Sequence, residues 1–318
     1  MLLMKKCILI YNPHSGTKQI KNYIPQIKQI LYKEGYDTEV FLTEEKKDAT
    51  KIVYNLPKVD LVMSFGGDGT FNEVMTGNLK REETGKEQLL LTHIPVGTTN
   101  DIGAMLGYSP NDLLGNVKLS LKGINKEMDI GLINNHPFIY VAGFGKYTNI
   151  SYETPRDLKK AIGGLAYIKE GIVEFFKKTK LYDITYEIDG VETRGLFSLV
   201  LISNANHIAG IKDIYKDVKL DDNKLEVVFC TIKNRKDIFK TLCLLALNGP
   251  SNAVPGLYFY RTDKIKLTIN EPEYKPWCID GERLEPSPNN EYQIAISRPK
   301  ARVRVPKRNI SKLFTKNT

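Results

Sequence analysis

A glycine-rich segment with a single carboxylate, Ser64 to Thr70, has the clearest chemical signature in the sequence. It reads Ser-Phe-Gly-Gly-Asp-Gly-Thr and follows the apolar run Val59 to Phe65. Glycines let a backbone adopt positive φ and approach a bulky anion with no Cβ in the way. The segment therefore predicts a phosphate-binding turn in which Asp68 handles magnesium or a proton. A plain glycine turn, with Asp68 as a helix cap, is the alternative.

Three further polar segments follow apolar runs in the first part of the chain. They are Asn12-Pro13-His14-Ser15-Gly16, Thr43, and Pro95 to Asp101. Hydroxyls such as those of Thr43, Thr70 and Thr98 can hydrogen-bond a phosphate oxygen or an adenine edge, although each alone serves equally well as a cap or turn residue. Because the carboxyl ends of parallel strands share one edge of a sheet, we expect these loops to converge on one crevice.

A second acidic segment, Asp280-Gly281-Glu282, places two carboxylates on a tight turn after Trp277 to Ile279. Phosphoryl transfer needs a carboxylate that takes the proton of the acceptor hydroxyl, and either acid has that chemistry. Asp-Gly is also a favoured pair in two-residue hairpin turns. From the residues alone, the segment is either a catalytic pair or a hairpin turn.

The first part of the chain alternates short apolar runs with helical periodicity. The apolar runs are Cys7–Tyr11, Glu39–Leu42, Val59–Phe65 and Leu89–Ile94. This alternation is typical of a parallel sheet with crossover helices. We predict an α/β N-terminal domain with a mostly parallel sheet over residues 1–124.

The second part of the chain changes to runs of period two, which favour an antiparallel sandwich or barrel. We predict a C-terminal β-sandwich domain over residues 125–300, with inserted helices at Leu158–Phe176 and Lys236–Leu247. The alternating run Ala301–Val305 is expected to return to the first domain with the tail 301–318.

The composition excludes several classes of protein. The 318 residues are 42% hydrophobic and 26% charged, and the longest apolar run beyond the N-terminus, Leu242–Leu247, is far below a membrane span. The 4 cysteines form no C-x-x-C pair, which predicts neither a zinc site nor a disulfide framework and fits a reducing cytoplasm. We expect a cytoplasmic protein that is not integral to a membrane.

The net charge of +9 favours anionic partners, with a general lysine bias as the alternative. Basic residues cluster on the predicted helix from Leu158 to Lys180. They include Lys159, Lys160, Lys169, Lys177 and Lys178. A basic amphipathic stretch can lie on an anionic bilayer, and a solvated face over a core is the other interpretation. We expect an anionic membrane surface as a partner and no nucleic acid.

Two common nucleotide-binding motifs are missing from the sequence. No G-x-x-x-x-G-K-[ST] segment occurs, and the first strand carries no G-x-G-x-x-G. Without the first motif, a nucleotide must be held by a different type of loop. Without the second, an NAD-dependent dehydrogenase is disfavoured.

The order and spacing of the loops resemble the ATP-binding half of the diacylglycerol kinase and sphingosine kinase superfamily. The matching segments are Asn12-Pro13 with Ser15-Gly16, Gly66-Gly67-Asp68-Gly69-Thr70 with Asn72-Glu73, and Gly97-Thr98 with Asn100-Asp101. NAD kinases share the Gly-Gly-Asp-Gly-Thr element, and phosphofructokinases carry a similar one. Ser151 to Pro155, Lys216 to Asp222 and Asp280-Gly281-Glu282 look like the soluble diacylglycerol kinase of Gram-positive bacteria, so the resemblance covers nearly the whole chain.

This resemblance implies an ATP site and catalytic magnesium. The residues that would line the ATP site are Asn12, Pro13, His14, Ser15, Gly16, Thr43, Gly66, Gly67, Asp68, Gly69, Thr70, Phe71, Asn72, Thr98, Asn100 and Asp101. Asp68 would hold magnesium through water, and Glu282, with Asp280 beside it, would accept the proton across the cleft between the domains. A structural magnesium site would use Asp217 and the backbone carbonyls of Ile214 and Lys219, although such acids also often face solvent.

The activity implied is ATP- and magnesium-dependent phosphorylation of diacylglycerol to phosphatidic acid, in phospholipid and lipoteichoic acid metabolism. The resemblance also implies a homodimer and a peripheral location at the inner face of the membrane. A lipid kinase for phosphatidylglycerol or a sphingoid base, an NAD kinase, and a non-catalytic lipid-binding protein stay open.

The sequence departs from the family pattern at two places. Ile102, Gly103 and Ala104 stand where the family usually carries a phenylalanine and later an arginine, and Asn223 replaces a common glycine. These changes put the affinity for phosphate in doubt, not the type of reaction.

Overall fold

The computed structural model describes residues 4–13, 15, 20–97, 100–145, 179–205, 207–208, 211–212, 218–232, 254–272 and 275–315. The chain divides into two compact units, one formed by Met1–Met128 with Pro299–Thr318 and the other by Asp129–Arg298. The helices predicted at Leu158–Phe176 and Lys236–Leu247 lie outside the described residues.

The first unit is built around one sheet. Its strands are β1 (Lys5–Tyr11), β2 (Tyr36–Leu42), β3 (Leu61–Gly66), β4 (Leu91–Pro95), β5 (Ile124–Met128) and β20 (Ala301–Val305). They form a 6-stranded sheet in the order β2-β1-β3-β4-β20-β5. The pairings are parallel except that of β20 with β5, so the sheet is mixed. The α/β class predicted for this part of the chain is confirmed.

Helices connect and cover these strands. They are α1 (Ile24–Lys33), which follows a 3-10 turn at Ile20–Tyr23, α2 (Asp48–Asn55), α3 (Asp68–Glu83), α4 (Asp101–Leu106), α5 (Leu113–Leu121) and α6 (Ile310–Leu313). Every residue of β3 and of β4 is buried, as expected for central parallel strands covered on both faces. This explains why β3 appears in the sequence as a nearly continuous apolar run, whereas β4 also buries the polar side chains of Thr92 and His93.

The second unit contains two larger antiparallel sheets. Its strands are β6 (Gly131–Ile133), β7 (His136–Phe138), β8 (Val141–Gly145), β9 (Tyr182–Ile188), β10 (Val191–Phe197), β11 (Leu199–Ser203), β12 (His207–Ile208), β13 (Ile211–Lys212), β14 (Leu225–Cys230), β15 (Leu257–Thr262), β16 (Lys264–Ile269), β17 (Trp277–Ile279), β18 (Glu282–Leu284) and β19 (Glu291–Ile296). The sheet orders are β10-β9-β16-β19-β6-β7 and β15-β14-β11-β8-β17-β18, with β12 and β13 as a separate pair.

One apolar core lies between the two larger sheets. Aromatic rings meet across it: Phe144 of one sheet lies 4.9 Å from Tyr182 of the other, and Trp277 lies 5.2 Å from Tyr292. Alternate residues of β9 are buried, which is the period-two pattern of a strand with one face in the core. The antiparallel arrangement predicted for the second part of the chain is confirmed.

The final strand, β20, returns the chain to the first sheet. Val303 pairs with Leu91 of β4, and the Thr92 hydroxyl donates a hydrogen bond of 2.9 Å to the carbonyl of Arg304. Residues more than 200 positions apart thus share one sheet.

Across the described part of the chain, no helix is long and apolar enough to cross a membrane.

Candidate active site

The loops after β1, β2 and β3 lie side by side at one edge of the first sheet. The amide of Asn12 donates to the carbonyl of Phe65 at 3.1 Å, and the amide of Thr43 donates to the carbonyl of Tyr11 at 3.1 Å. Asn12 and Ser15 are half-buried, Pro13 is exposed, and Thr43 is buried. The structure therefore brings the first two predicted loops to the end of β3.

The loop after β4 packs directly on the glycine-rich turn. The carbonyl of Gly66 accepts hydrogen bonds from the amides of Val96 and Gly97, at 2.8 and 3.2 Å. A Cβ at Gly97 would lie 2.6 Å from the Cα of Gly67 and 2.8 Å from Oδ1 of Asn100. Only glycine at position 97 allows the two backbones to come this close.

Helix α3 begins inside the glycine-rich turn. Gly67 is the residue before its first turn, and the amides of Thr70 and Phe71 donate to the carbonyl of Gly67 at 3.0 and 3.2 Å. Thr70 and Phe71 are buried, whereas Gly67, Gly69 and Asn72 are half-buried. The positive end of the helix dipole therefore lies at the turn, where it favours a bound anion.

The carboxylate of Asp68 joins the two loops. Its two oxygens accept the amides of Asp101 and Ile102, at 3.0 and 3.2 Å, and the residue is 8% exposed. These amides belong to the first turn of α4, so Asp68 caps a helix that begins 33 residues further along the chain. The sequence gives no spacing signal for this contact.

Asn100 shapes the entry to α4. It adopts a left-handed conformation with φ of 52°, and its side-chain amide donates to the carbonyl of Gly97 at 2.6 Å. Ile102 and Gly103 are buried, and a Cβ at Gly103 would lie 2.5 Å from the ring of Pro95. At this departure from the family pattern, α4 packs tightly against the end of β4.

A buried histidine that sequence reasoning left without a role supports the same turn. The His93 ring stacks on Phe71 with centroids 4.7 Å apart, and its Nδ1 lies 3.0 Å from the hydroxyl of Ser64. Its Nε2 has no hydrogen-bond partner in the part of the chain that the structure describes. Burial lowers the pKa of His93 to about 3. A neutral ring therefore packs behind the first turn of α3.

The second acidic segment forms a hairpin in the second unit. Asp280 and Gly281 are the turn between β17 and β18, with φ of 48° and 82°. Asp280 is buried and its carboxylate accepts backbone amides, whereas Glu282 is exposed at the start of β18. The hairpin turn that the Asp-Gly pair allows is confirmed.

Several predicted site residues lie outside the described part of the chain. They are His14, Gly16, Thr98, Lys159, Lys160, Lys169, Lys177, Lys178, Ile214 and Asp217. Lys219 is half-buried, and Asn223 has φ of 60°. Asparagine tolerates this left-handed conformation, which explains how it replaces a glycine there.

Comparison with known proteins places the chain among lipid kinases. The family model "Diacylglycerol kinase catalytic domain" matches residues 6–133. A diacylglycerol kinase of Staphylococcus aureus (strain bovine RF122 / ET3-1) is 33% identical over 268 residues, which are 84% of this chain and 83% of the relative. A diacylglycerol kinase of S. aureus (strain JH9) is 32% identical over the same shares of both chains.

Solved structures share the fold. A crystal structure of a diacylglycerol kinase from Bacillus anthracis str. Sterne has a TM-score of 0.72 at 23% identity and covers 96% of this chain and 99% of its own. Another structure from that organism has a TM-score of 0.78 at 24% identity, with the same coverage.

The family model and these relatives define a lipid kinase, a phosphotransferase, and its glycine-rich turn lies in an α/β unit. The chain belongs to the diacylglycerol kinase family.

Proposed function

We propose that this protein transfers the γ-phosphoryl group of ATP to the hydroxyl of diacylglycerol and so forms phosphatidic acid. The observation that carries the proposal is the contact of Gly67 with Gly97 at the N-terminus of α3, which brings two strand-end loops together. Glycine backbones and a helix N-terminus are suited to the phosphates of a nucleotide. The identity to diacylglycerol kinases supports the choice of acceptor.

The ATP phosphates are assigned to the turn Gly66 to Thr70, and the rest of the nucleotide to the neighbouring loops. Asn12 to Gly16, Thr43 and Thr98 follow strands whose ends adjoin the turn, and Asn72, Asn100 and Asp101 flank it. The negative charge of Asp68 would repel the ATP phosphates. Hydrogen bonds from two amides of α4 to its carboxylate oxygens reduce this repulsion.

Magnesium is assigned to Asp68 and the ATP phosphates. Mg²⁺ usually keeps several waters and binds through one or two carboxylates together with substrate phosphates. A carboxylate has about four lone-pair sites, so one that accepts the amides of Asp101 and Ile102 can also accept a hydrogen bond from magnesium-bound water. Within the described residues there is no group of three or more metal-ligating side chains, so we assign no closed protein cage there. The ion would neutralise charge on the transferring phosphoryl group.

Glu282 is assigned as the base. The hydroxyl proton of diacylglycerol passes to the Glu282 carboxylate, the hydroxyl oxygen forms a bond to the γ-phosphorus, and the bond to the β–γ bridging oxygen breaks to release ADP. Its exposure at the start of β18 supports this role, since a base must reach the substrate.

The remaining assignments follow from the family. A structural magnesium ion is proposed at Asp217 with carbonyls of Ile214 and Lys219. The lysines of the segment from Lys159 to Lys178 are proposed to contact anionic lipid at the inner face of the membrane, and the protein is proposed to be a homodimer.

One assay tests the reaction. The pure protein is incubated with labelled ATP, magnesium and mixed micelles that contain diacylglycerol, phosphatidylglycerol or no lipid, and NAD is tested in parallel. We expect label in phosphatidic acid. Label in NAD would contradict the lipid kinase proposal. Label in phosphatidylglycerol would show a different lipid acceptor. Lipid binding without any transfer of label would indicate a non-catalytic protein.

Two variants test the proposed roles of the carboxylates. Asp68→Asn removes acceptors for two amides and the contact to magnesium, and we expect kcat to fall by ~10²-fold or more. Glu282→Gln removes the base, with an expected loss of ~10²–10⁴-fold. Circular dichroism checks that both variants fold. Full activity of Glu282→Gln would remove that residue from the mechanism.

A further inference from the structure

The β17–β18 hairpin has a turn of a common type. Ile279 pairs with Glu282 across the two turn residues, and Asp280 and Gly281 both have positive φ. This backbone is the pattern of a type I′ turn, in which Asn-Gly and Asp-Gly are both favoured. The turn alone therefore gives no reason for an acid at position 280.

Two other hairpins of the same unit show what this turn requires. Asp189 and Gly190 join β9 to β10 with φ of 52° and 79°. Asn134 and Asn135 join β6 to β7 with φ of 45° and 66°. The first turn position thus takes aspartate or asparagine in this fold, and Asp189 is exposed.

Asp280 differs from Asp189 in what its carboxylate contacts. Its Oδ2 accepts the amide of Ile139 at 2.6 Å, and its Oδ1 accepts the amides of Tyr140 and Val141 at 3.0 and 3.1 Å. Asp280 is only 4% exposed. Three consecutive backbone amides that converge on one carboxylate form an anion-binding nest.

The nest ties the hairpin to the neighbouring strand. The three amides belong to the bend between β7 and β8 and to the first residue of β8, and β8 pairs with β17 through Gly143 and Ala142. The amide of Asp280 itself donates to the carbonyl of Val141 at 2.9 Å. The turn, and with it the start of β18 at Glu282, is therefore fixed from both sides of residue 280.

We propose that Asp280 is a positioning residue that holds Glu282, the assigned base, in place. The inference rests on the proposed function. To act as a base, Asp280 would have to take a proton on a carboxylate that three N–H donors already face, and loss of the negative charge would weaken its hydrogen bonds to those amides. Glu282, in contrast to the buried Asp280, is exposed, so a substrate can reach its carboxylate.

Asp280→Asn tests the proposal because asparagine keeps the size and the turn preference of aspartate. The NH₂ group of asparagine would face a backbone N–H, and since both groups are donors, that hydrogen bond is lost. We expect a Tm lower by several degrees and a kcat lower by ~10²-fold, the cost of a small misplacement of a reacting group. The KM for ATP should not change, since the ATP loops lie in the first unit.

Asp189→Asn is the matched control, with the same substitution in the same type of turn. Both its Tm and its kcat should equal those of the wild type. Glu282→Gln should keep the wild-type Tm and lose kcat, which separates the base from the residue that positions it.

Two results would overturn the proposal: an Asp280→Asn variant that loses kcat but keeps the wild-type Tm, or one that keeps both the wild-type Tm and the wild-type kcat. If the wild-type protein phosphorylates no lipid, the proposed function fails. The Tm difference between Asp280→Asn and Asp189→Asn then still decides whether the Asp280 carboxylate holds the hairpin in place.

Discussion

At the scale of single residues, close backbone contact shapes the glycine-rich turn. Gly97→Ala would place a Cβ 2.6 Å from the Cα of Gly67, whereas Gly67→Ala would place one 3.6 Å from the Cα of Gly97. The first substitution forces two backbones apart and the second makes an ordinary contact. We expect Gly97→Ala to lower the free energy of unfolding by about 1–3 kcal/mol.

Denaturant unfolding of both glycine variants checks this expectation. Gly67→Ala, with φ of −89°, meets no backbone strain and should unfold close to the wild type. An equal loss of stability in the two variants would contradict the contact between the loops.

His93 should give the protein a specific pH dependence. The pKa of this histidine is lowered to about 3 by burial, from an ordinary value of 6.5. Below pH 6.5 the unfolded chain binds a proton that the native chain does not bind until about pH 3, so stability falls as the pH falls through this window. Between pH 7 and pH 5 the loss is about 2 kcal/mol, at 1.36 kcal/mol for each pKa unit.

The His93→Phe variant should lose this part of the pH dependence while keeping an aromatic ring against Phe71. Urea unfolding at pH 7 and at pH 5 measures the change in the free energy of unfolding with pH. His136→Phe, at an exposed position, is the control. A variant with the full pH dependence of the wild type would show that His93 is not the source.

At the scale of elements, one arginine of α3 holds the end of α2. The Arg81 guanidinium donates to the carbonyls of Val53, Tyr54 and Leu56, at 3.2, 3.3 and 2.5 Å, and the residue is 3% exposed. The last carbonyls of a helix have no partner within it. Arg81 therefore satisfies the C-terminus of α2 and holds it against the C-terminal end of α3.

Arg81→Met should leave those buried carbonyls without this donor and lower the free energy of unfolding by about 3 kcal/mol. Lys80→Met changes an exposed neighbour on the same helix and should stay within about 0.5 kcal/mol of the wild type. Thermal or denaturant unfolding compares the three proteins. Equal stability of Arg81→Met and Lys80→Met would remove the capping role.

Edge strands explain which elements sequence patterns did not predict. In β5, which pairs with β20 at one edge of the first sheet, only Met128 is buried, and β10 at the edge of its sheet has an exposed Val191 and a buried Phe197. Both strands carry charged residues and lack an apolar run. Central strands such as β3 were found because burial on both faces requires apolar residues throughout.

At the scale of the whole molecule, the net charge of +9 should direct the protein to anionic membranes. We expect binding to phosphatidylglycerol vesicles and weak binding to phosphatidylcholine vesicles. Raising the salt from about 0.1 M to about 1 M shortens the Debye length from ~10 Å to ~3 Å and should release the protein. Co-sedimentation measures this, and binding that does not respond to salt would argue against an electrostatic contact.

The sequence by itself determined the class of the first unit, the antiparallel second part, and the position of the glycine-rich and polar loops at the ends of strands. Such features rest on local rules: hydrophobic period, turn residues and the position of glycines after strands are all visible within a short window. The placement of Asn12, Thr43 and Gly97 at one sheet edge follows from those rules and from the geometry of parallel strands.

Only the tertiary structure decided what the acids contact. Asp68 binds amides 33 and 34 positions away, and Asp280 binds amides 139 to 141 positions away. Hydrogen bonds between residues so far apart in the chain leave no spacing signature, since the fold alone brings the partners together. For the same reason, the residues alone left Asp280 and Glu282 equal as candidate bases, and only the fold shows that Asp280 is buried while Glu282 is exposed.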